Sequence, residues 1–271
     1  MDREIAMQCL VDSRQVHVHS TEAAGRAAAR PVLLLHGAGQ DHRAWLPPWP
    51  ALQRAGHALY APDLPGHSNS AGPPCGSIAE LAAWVLELLD VLQLGPCALV
   101  GHSMGSLVAL HAAALAPQRV SHLGMIASAL PMTVSPELLQ RARSDPASAM
   151  EDIARWSHKG SREQPADAAL VDSTLHLMQS VQARWPAGDL LATDLGACDG
   201  YADGLEMAGR VRAPVELVLG RGDRMTPLRA SAELQQRLPR AHASVLDAGH
   251  SLMQEQPAAV AQALLDLLER H

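Results

Sequence analysis

The chain has 271 residues, a formal net charge of −7, 48% hydrophobic residues and four cysteines. That length suits one domain carrying an insertion and is ample for a large core. An acidic balance with no basic cluster excludes nucleic acid as an expected partner, and no apolar run approaches membrane-spanning length.

Met1 to Leu10 carries three charges and no secretory apolar segment, so a cytoplasmic location is the expectation. Cys9, Cys75, Cys97 and Cys198 are widely spread and form no Cys-x-x-Cys pair. They read as small buried hydrophobes, and neither a disulfide framework nor a zinc cage is expected.

Along the chain, Cys9-Leu10-Val11 and Val16-His17-Val18-His19 flank Asp12-Ser13-Arg14, which predicts an antiparallel hairpin at one sheet edge. His17 and His19 share one strand face, as metal ligands can, but no third ligand lies nearby in sequence, so no metal is expected. Thr21 to Arg30 reads as a surface connection, and Pro31 to Leu35 as a strand buried on both faces, ending in His36-Gly37-Ala38-Gly39. Trp45 and Trp49, in a Pro-rich stretch that begins or interrupts a helix, read as packing residues. His57 to Ala61 is a further strand, followed by the tight loop Asp63-Leu64-Pro65-Gly66-His67-Ser68. Ser77-Ile78-Ala79-Glu80 has the form of a capping box, and Ile78, Leu81, Ala82, Val85, Leu88, Leu89 and Leu92 recur at helical spacing.

The run from Cys97 to Val100 is another buried strand, and Leu107 to Leu115 an Ala-rich helix behind it. Between them, Gly101, Ser103 and Gly105 fit Gly-x-Ser-x-Gly. A serine on so sharp a strand-to-helix turn needs neighbours without side chains, and the turn lifts its hydroxyl off the sheet. The N–H groups of the following helix then point at any anion formed beside it. A serine hydroxyl is a poor nucleophile at neutral pH, so this chemistry demands a histidine to take its proton and a carboxylate to orient that histidine.

Val120 to Ala127 is the next strand. From residue 131 to about 207 the pattern turns helical: Glu137 to Ala142, Ala147 to Trp156, Ala168 to Val181 and Ala187 to Leu195, divided by Pro136, Pro146, Pro165 and Pro186. Val215 to Leu219 resumes the strands and ends at Gly220-Arg221-Gly222-Asp223, with a helix predicted to begin at Thr226-Pro227. His242 to Leu246 is the last strand, Ala248-Gly249-His250 the loop beyond it, and Val260, Ala263, Leu264, Leu267 and Leu268 line the closing helix.

The carriers His36 to Gly39, Asp63 to Ser68, Gly101 to Gly105, Gly220 to Asp223 and Ala248 to His250 resemble the α/β-hydrolase superfamily from about residue 31 to the C-terminus. The resemblance is to serine carboxylesterases with a helical cap. It implies a mostly parallel, doubly wound sheet of about eight strands, with residues 1–130 and 208–271 as the core and 131–207 as the cap. By the superfamily order of serine, acid and histidine, Ser103, Asp223 and His250 would be the triad, and the Ala38 and Met104 N–H groups would hold the oxyanion. Asp247 is the rival acid, but it stands so near His250 in sequence that only a special bend would let the two meet. His67 stands where the family often has glycine. Met150, Ile153, Trp156, Leu175, Met178 and Trp185 are candidates for an apolar pocket roof or for the cap's own core.

The expected activity is hydrolysis of a small-molecule ester with a short or medium acyl chain, without a cofactor, nucleic acid or membrane as partner. The same residues serve cofactor-free haloperoxidases or perhydrolases and carbon–carbon hydrolases, and, less expected, an acyltransferase or a non-catalytic ligand-binding protein. Ser251-Leu252-Met253 after His250 lacks the tryptophan common in the carbon–carbon hydrolases. A serine at the turn argues against haloalkane dehalogenases and epoxide hydrolases, which use aspartate there.

Overall fold

The first two strands, β1 (Glu4–Val11) and β2 (Arg14–Thr21), pair as an antiparallel hairpin. Asp12 and Ser13 hold its two-residue turn at φ 48° and 62°, the left-handed pair that matches strand twist. The structure, a computed structural model, describes residues 4–21, 30–160, 165–185, 188–238 and 240–270. Most of the connection expected over Thr21 to Arg30 lies outside the described residues.

From β3 (Pro31–Leu35) onward strands and helices alternate: α1 (Trp49–Arg54), β4 (Ala58–Pro62), α2 (Ile78–Val91), β5 (Cys97–His102), α3 (Met104–Leu115) and β6 (Val120–Ile126). The alternation is then interrupted by α4 (Pro136–Ser144), α5 (Pro146–Ser157), α6 (Ala168–Gln182), α7 (Leu190–Asp199) and α8 (Gly204–Ala208). It resumes with β7 (Val215–Gly220), α9 (Ala232–Arg237), β8 (Ala241–Leu246), α10 (Leu252–Glu255) and α11 (Pro257–Leu268). Among the described residues no helix is long and apolar enough to cross a membrane.

The eight strands lie in the order β1-β2-β4-β3-β5-β6-β7-β8, antiparallel at β1-β2-β4 and parallel from β4 to β8. Side chains alternate between two cores. Leu33, Leu35 and Leu99 face α2 and α3, while Val32, Leu34, Ala98 and Val100 face Trp45, Trp49, Leu52 and the inner side of α11. Both tryptophans are buried packing residues. The chain runs from β3 to one neighbour, β4, and then to the other, β5, so strand order reverses between β3 and β5. A crevice opens at the carboxyl ends of strands at such a reversal.

Ser77 caps α2 by accepting from Glu80 N–H, while the Glu80 carboxylate accepts from Gly76 rather than from Ser77. In the helical insertion, Pro136 and Pro146 do more than divide helices. Each stands in the first turn behind a capping Ser135 or Asp145, where a missing N–H removes no helical bond. Helix α7 begins at Leu190, later than expected, and Ala187 lies outside the described residues. The insertion has a core of its own, in which Leu138, Met150, Ile153, Met178, Leu191 and Leu195 meet.

Asp41 caps the 3-10 helix His42–Trp45, accepting from Arg43 N–H and pairing with the Arg43 guanidinium at 2.6 Å. Burial alone would raise its pKa, but Arg43 and the Ser68 hydroxyl outweigh burial and bring it to about 2. A carboxyl depressed in the folded state stabilises the fold above its unfolded pKa, and that contribution fades as pH falls through the folded value. Asp41→Asn is therefore expected to lower unfolding free energy by about 2 kcal/mol at pH 7, measured by urea denaturation. The gap between the two proteins should close between about pH 4 and pH 2.

Candidate active site

Ser103 connects β5 to α3 with φ 51° and ψ −117°, a conformation that costs a non-glycine residue about 1–3 kcal/mol. The glycines two residues away on either side make it possible. A Cβ on Gly101 would overlap the Gly105 carbonyl, and one on Gly105 would overlap the Leu35 carbonyl of the neighbouring strand. Helix α3 therefore starts almost in contact with β3 and β5, and Ser103 is only partly buried at the carboxyl edge of the sheet.

His250 lies beyond β8, and its Nδ1 is 2.9 Å from Asp223 Oδ2, in the loop after β7. Both side chains are almost wholly buried. Asp223 also accepts from the Met225 and Thr226 N–H groups, each at 2.8 Å, and from the Thr226 hydroxyl at 2.7 Å. Burial alone would raise the Asp223 carboxyl; the His250 imidazole and the Thr226 donors outweigh it and hold the group well below the usual carboxylate range. An ionised Asp223 facing Nδ1 places the proton on that nitrogen and leaves Nε2 as the basic one. The rival Asp247 turns outward to Lys159 Nζ at 2.7 Å.

His102, the variable residue before Ser103, is buried, and its Nε2–H donates to the His250 carbonyl at 2.9 Å. Burial first, and then the neighbouring His250, push its pKa down to about 3, so it is a neutral strut for the His250 loop. Ser103, His102, His250, Thr226 and Ala38 all line one cavity of about 330 Å³. Helices of the insertion cover it with Leu138, Ile153, Trp156, Met178 and Leu195. Trp156 and Met178 therefore reach the cavity. Met150 lies in the insertion's own core, and Trp185 packs on the side of the sheet that holds α11, its indole donating to Asp189 at 2.8 Å; neither lines the cavity. Met104 is buried at the first position of α3, directly after Ser103.

The loop carrying Ala38 is anchored by residues that the sequence reading did not assign to the site. Asp194, on α7 of the insertion, accepts from Gly39 N–H at 2.8 Å and from His67 Nε2–H at 2.9 Å through the same oxygen. His67 Nδ1 meets the Pro65 carbonyl at 3.1 Å, so both ring nitrogens face acceptors and the ring is an imidazolium. Burial alone would lower the His67 pKa, but Asp194 outweighs it and raises it. The adjacent His36 is the opposite case. Its Nε2 accepts from Leu64 N–H and its Nδ1–H donates to Gly37, and burial lowers its pKa to about 4.

The His67–Asp194 pair is 1% and 2% exposed, which makes its disruption costly. Asp194→Ala leaves a buried cation without its counter-charge and is expected to lower unfolding free energy by about 3–5 kcal/mol in denaturant titrations. Replacing His67 by alanine in the same chain should restore part of that loss, because the double variant buries no lone charge.

The alpha/beta hydrolase fold family model matches residues 30–257. The chain is 32% identical over 266 residues to the dihydrolipoyllysine-residue acetyltransferase component of the acetoin cleaving system of Pseudomonas putida, matching 91% of this chain and 65% of that protein. It is 29% identical over 256 residues to a pimeloyl-(acyl-carrier protein) methyl ester esterase of Aromatoleum aromaticum, covering 88% and 97% of the two. Among solved structures, the enol-lactonase from Burkholderia xenovorans LB400 superposes with a TM-score of 0.84 at 23% identity, over 97% of this chain and 100% of that one. The strained serine between β5 and α3, the sheet order and the matched span agree, and the chain belongs to the alpha/beta hydrolase fold family.

Proposed function

We propose that the chain is a serine hydrolase that cleaves carboxylic esters of short or medium acyl chain through an acyl-enzyme on Ser103. The observation that carries this reading is the buried His250–Asp223 pair sharing a cavity with a serine held in a strained turn. In this reading His250 Nε2 takes the Ser103 proton as Oγ attacks the ester carbonyl, and Asp223 steadies the imidazolium that forms. The Ala38 and Met104 N–H groups hold the oxyanion. His250 then protonates the leaving alkoxide, and water repeats the sequence on the acyl-enzyme. Residues 131–207 act as a cap that excludes bulk water and bounds the substrate, over a core made of 1–130 and 208–271.

A cavity of about 330 Å³ is at the small end of ligand pockets, which supports a short or medium acyl group over a long one. The similarity to an esterase of methyl esters supports the reaction class. Among the described residues that line the cavity, Arg224 is the one with a permanent charge, and it is exposed. A guanidinium there favours an ester that carries a second, anionic group.

A fluorophosphonate probe should label the wild type and leave Ser103→Ala unlabelled; an unlabelled wild type, or equal labelling of both, would refute the assignment. On p-nitrophenyl esters, Ser103→Ala and His250→Ala should each lower kcat by about 10⁶-fold, and Asp223→Asn by about 10⁴-fold. Butyrate and shorter esters should turn over faster than long-chain ones. Arg224→Gln should raise KM about tenfold for the monomethyl ester of a short dicarboxylic acid and leave KM for methyl butyrate unchanged.

A further inference from the structure

Away from the cavity, the antiparallel edge of the sheet gathers a second group of chemically competent side chains. The pairing of β2 with β4 runs through Val18 opposite Pro62, so the next pair is His17 and Asp63, joined by Asp63 N–H to the His17 carbonyl at 2.9 Å. Residues directly opposite in an antiparallel pair project from the same face, which brings the His17 ring and the Asp63 carboxylate together. The 3-10 helix that follows the Ala38 loop then lays His42 over that face. Its backbone N–H and its Nδ1 both reach Asp63 Oδ1, at 3.0 and 2.7 Å. The His17 and His42 rings are 5.0 Å apart, and one ligand atom from each of His17, His42 and Asp63 lies within 4.8 Å of the others.

We propose that His17, His42 and Asp63 bind one divalent transition-metal ion, zinc by the chemistry of the donor set, as a staple joining β2, the 3-10 helix and the end of β4. Two imidazoles and one carboxylate are the donors zinc prefers, whereas calcium and magnesium require more oxygens than these residues offer. A tetrahedral ion with bonds of about 2.0–2.1 Å needs donor atoms about 3.3 Å apart, so rotation of the two rings closes the remaining distance. The outer support exists already: Asp63 keeps the His42 backbone N–H on Oδ1 and the Asn69 N–H, at 3.3 Å, on Oδ2. Binding replaces the proton between His42 Nδ1 and Asp63 Oδ1, which leaves to solvent, and water completes the coordination. All three side chains are largely buried, with His42 the most exposed at 14%, so the ion enters from the His42 side.

The test uses the full chain, stripped with a chelator, desalted, and titrated with zinc chloride by calorimetry and with cobalt chloride by visible spectroscopy. One tightly held equivalent of zinc, a rise in Tm on loading, and the intense visible bands of four-coordinate cobalt are expected. His17→Gln and His42→Gln should each lose that equivalent and the Tm rise while keeping the far-UV circular dichroism of the metal-free wild type. A wild type that takes up no stoichiometric zinc overturns the proposal, as does uptake that both variants match. Should either variant fail to fold, the cobalt spectrum of the wild type decides: weak bands of an octahedral aqua ion overturn the site.

Discussion

The close approach of α3 to the two central strands is the constraint on which the rest of the molecule depends. Gly101 and Gly105 let the first turn of α3 sit against β5 and the Leu35 carbonyl of β3, and no larger residue fits at either position. That contact forces Ser103 into the left-handed region and raises its hydroxyl above the sheet edge. It also places the start of α3 beside the loop that follows β3. These two strands flank the reversal of strand order, so the topology that opens the crevice and the turn that fills it with a hydroxyl share one origin. The strain of about 1–3 kcal/mol at Ser103 is borne by packing that is buried on both faces of β5.

Around that turn, histidines in different surroundings hold different protonation states, and each state follows from its partners. His102 and His36 are buried beside groups that do not compensate a cation, and both are neutral struts for loops at the site. His67, equally buried, faces a carboxylate and a carbonyl and carries the charge. His250 shares its Nδ1 with an acid that Thr226 and Met225 keep ionised. Residue type alone does not separate these roles among fourteen histidines; the acceptor opposite each nitrogen does.

Most of the core was legible because buried parallel strands have a plain signature. Pro31 to Leu35 and Cys97 to Val100 are continuous apolar runs, Val215 to Leu219 is interrupted by Glu216 alone, and the observed β3, β5 and β7 contain them. Ser103 was marked by its flanking glycines, and Asp223 and His250 by their places after strands. Contacts between distant segments had no such signal. Asp194 and His67 are 127 residues apart, and the one hint was an imidazole in a tight loop where glycine is frequent in the family. The other two members of the His17 cluster, His42 and Asp63, were likewise invisible along the chain, since β2 meets residue 63 only through strand pairing. Periodicity also tells which face of an insertion helix is apolar without telling what it meets. Met150 and Met178 both lie on such faces, yet only Met178 reaches the cavity.

The same Asp194 oxygen that holds His67 also holds Gly39, and this limits how the insertion can move. Displacing α7 as a rigid body would separate Asp194 from both partners and leave a buried imidazolium uncompensated, a cost of about 3–5 kcal/mol. At about 1.4 kcal/mol per factor of ten, such an opening would be populated at roughly one part in a hundred to one in a few thousand. Among the described residues, α4 keeps its charged contact, Arg141 with Asp152, within the insertion, whereas α5 ends against the core: the Ser157 carbonyl accepts from Ser251 N–H at 2.8 Å, and His158 and Lys159, just beyond it, face Glu255 and Asp247. Among the described residues α4, which supplies Leu138 to the cavity, is thus a helix of the insertion held to the core by no hydrogen bond or ion pair, and motion that admits a ligand falls to it while α7 stays locked to the Ala38 loop. Helix α4 can yield without disturbing the α7 contact that fixes the loop carrying Ala38.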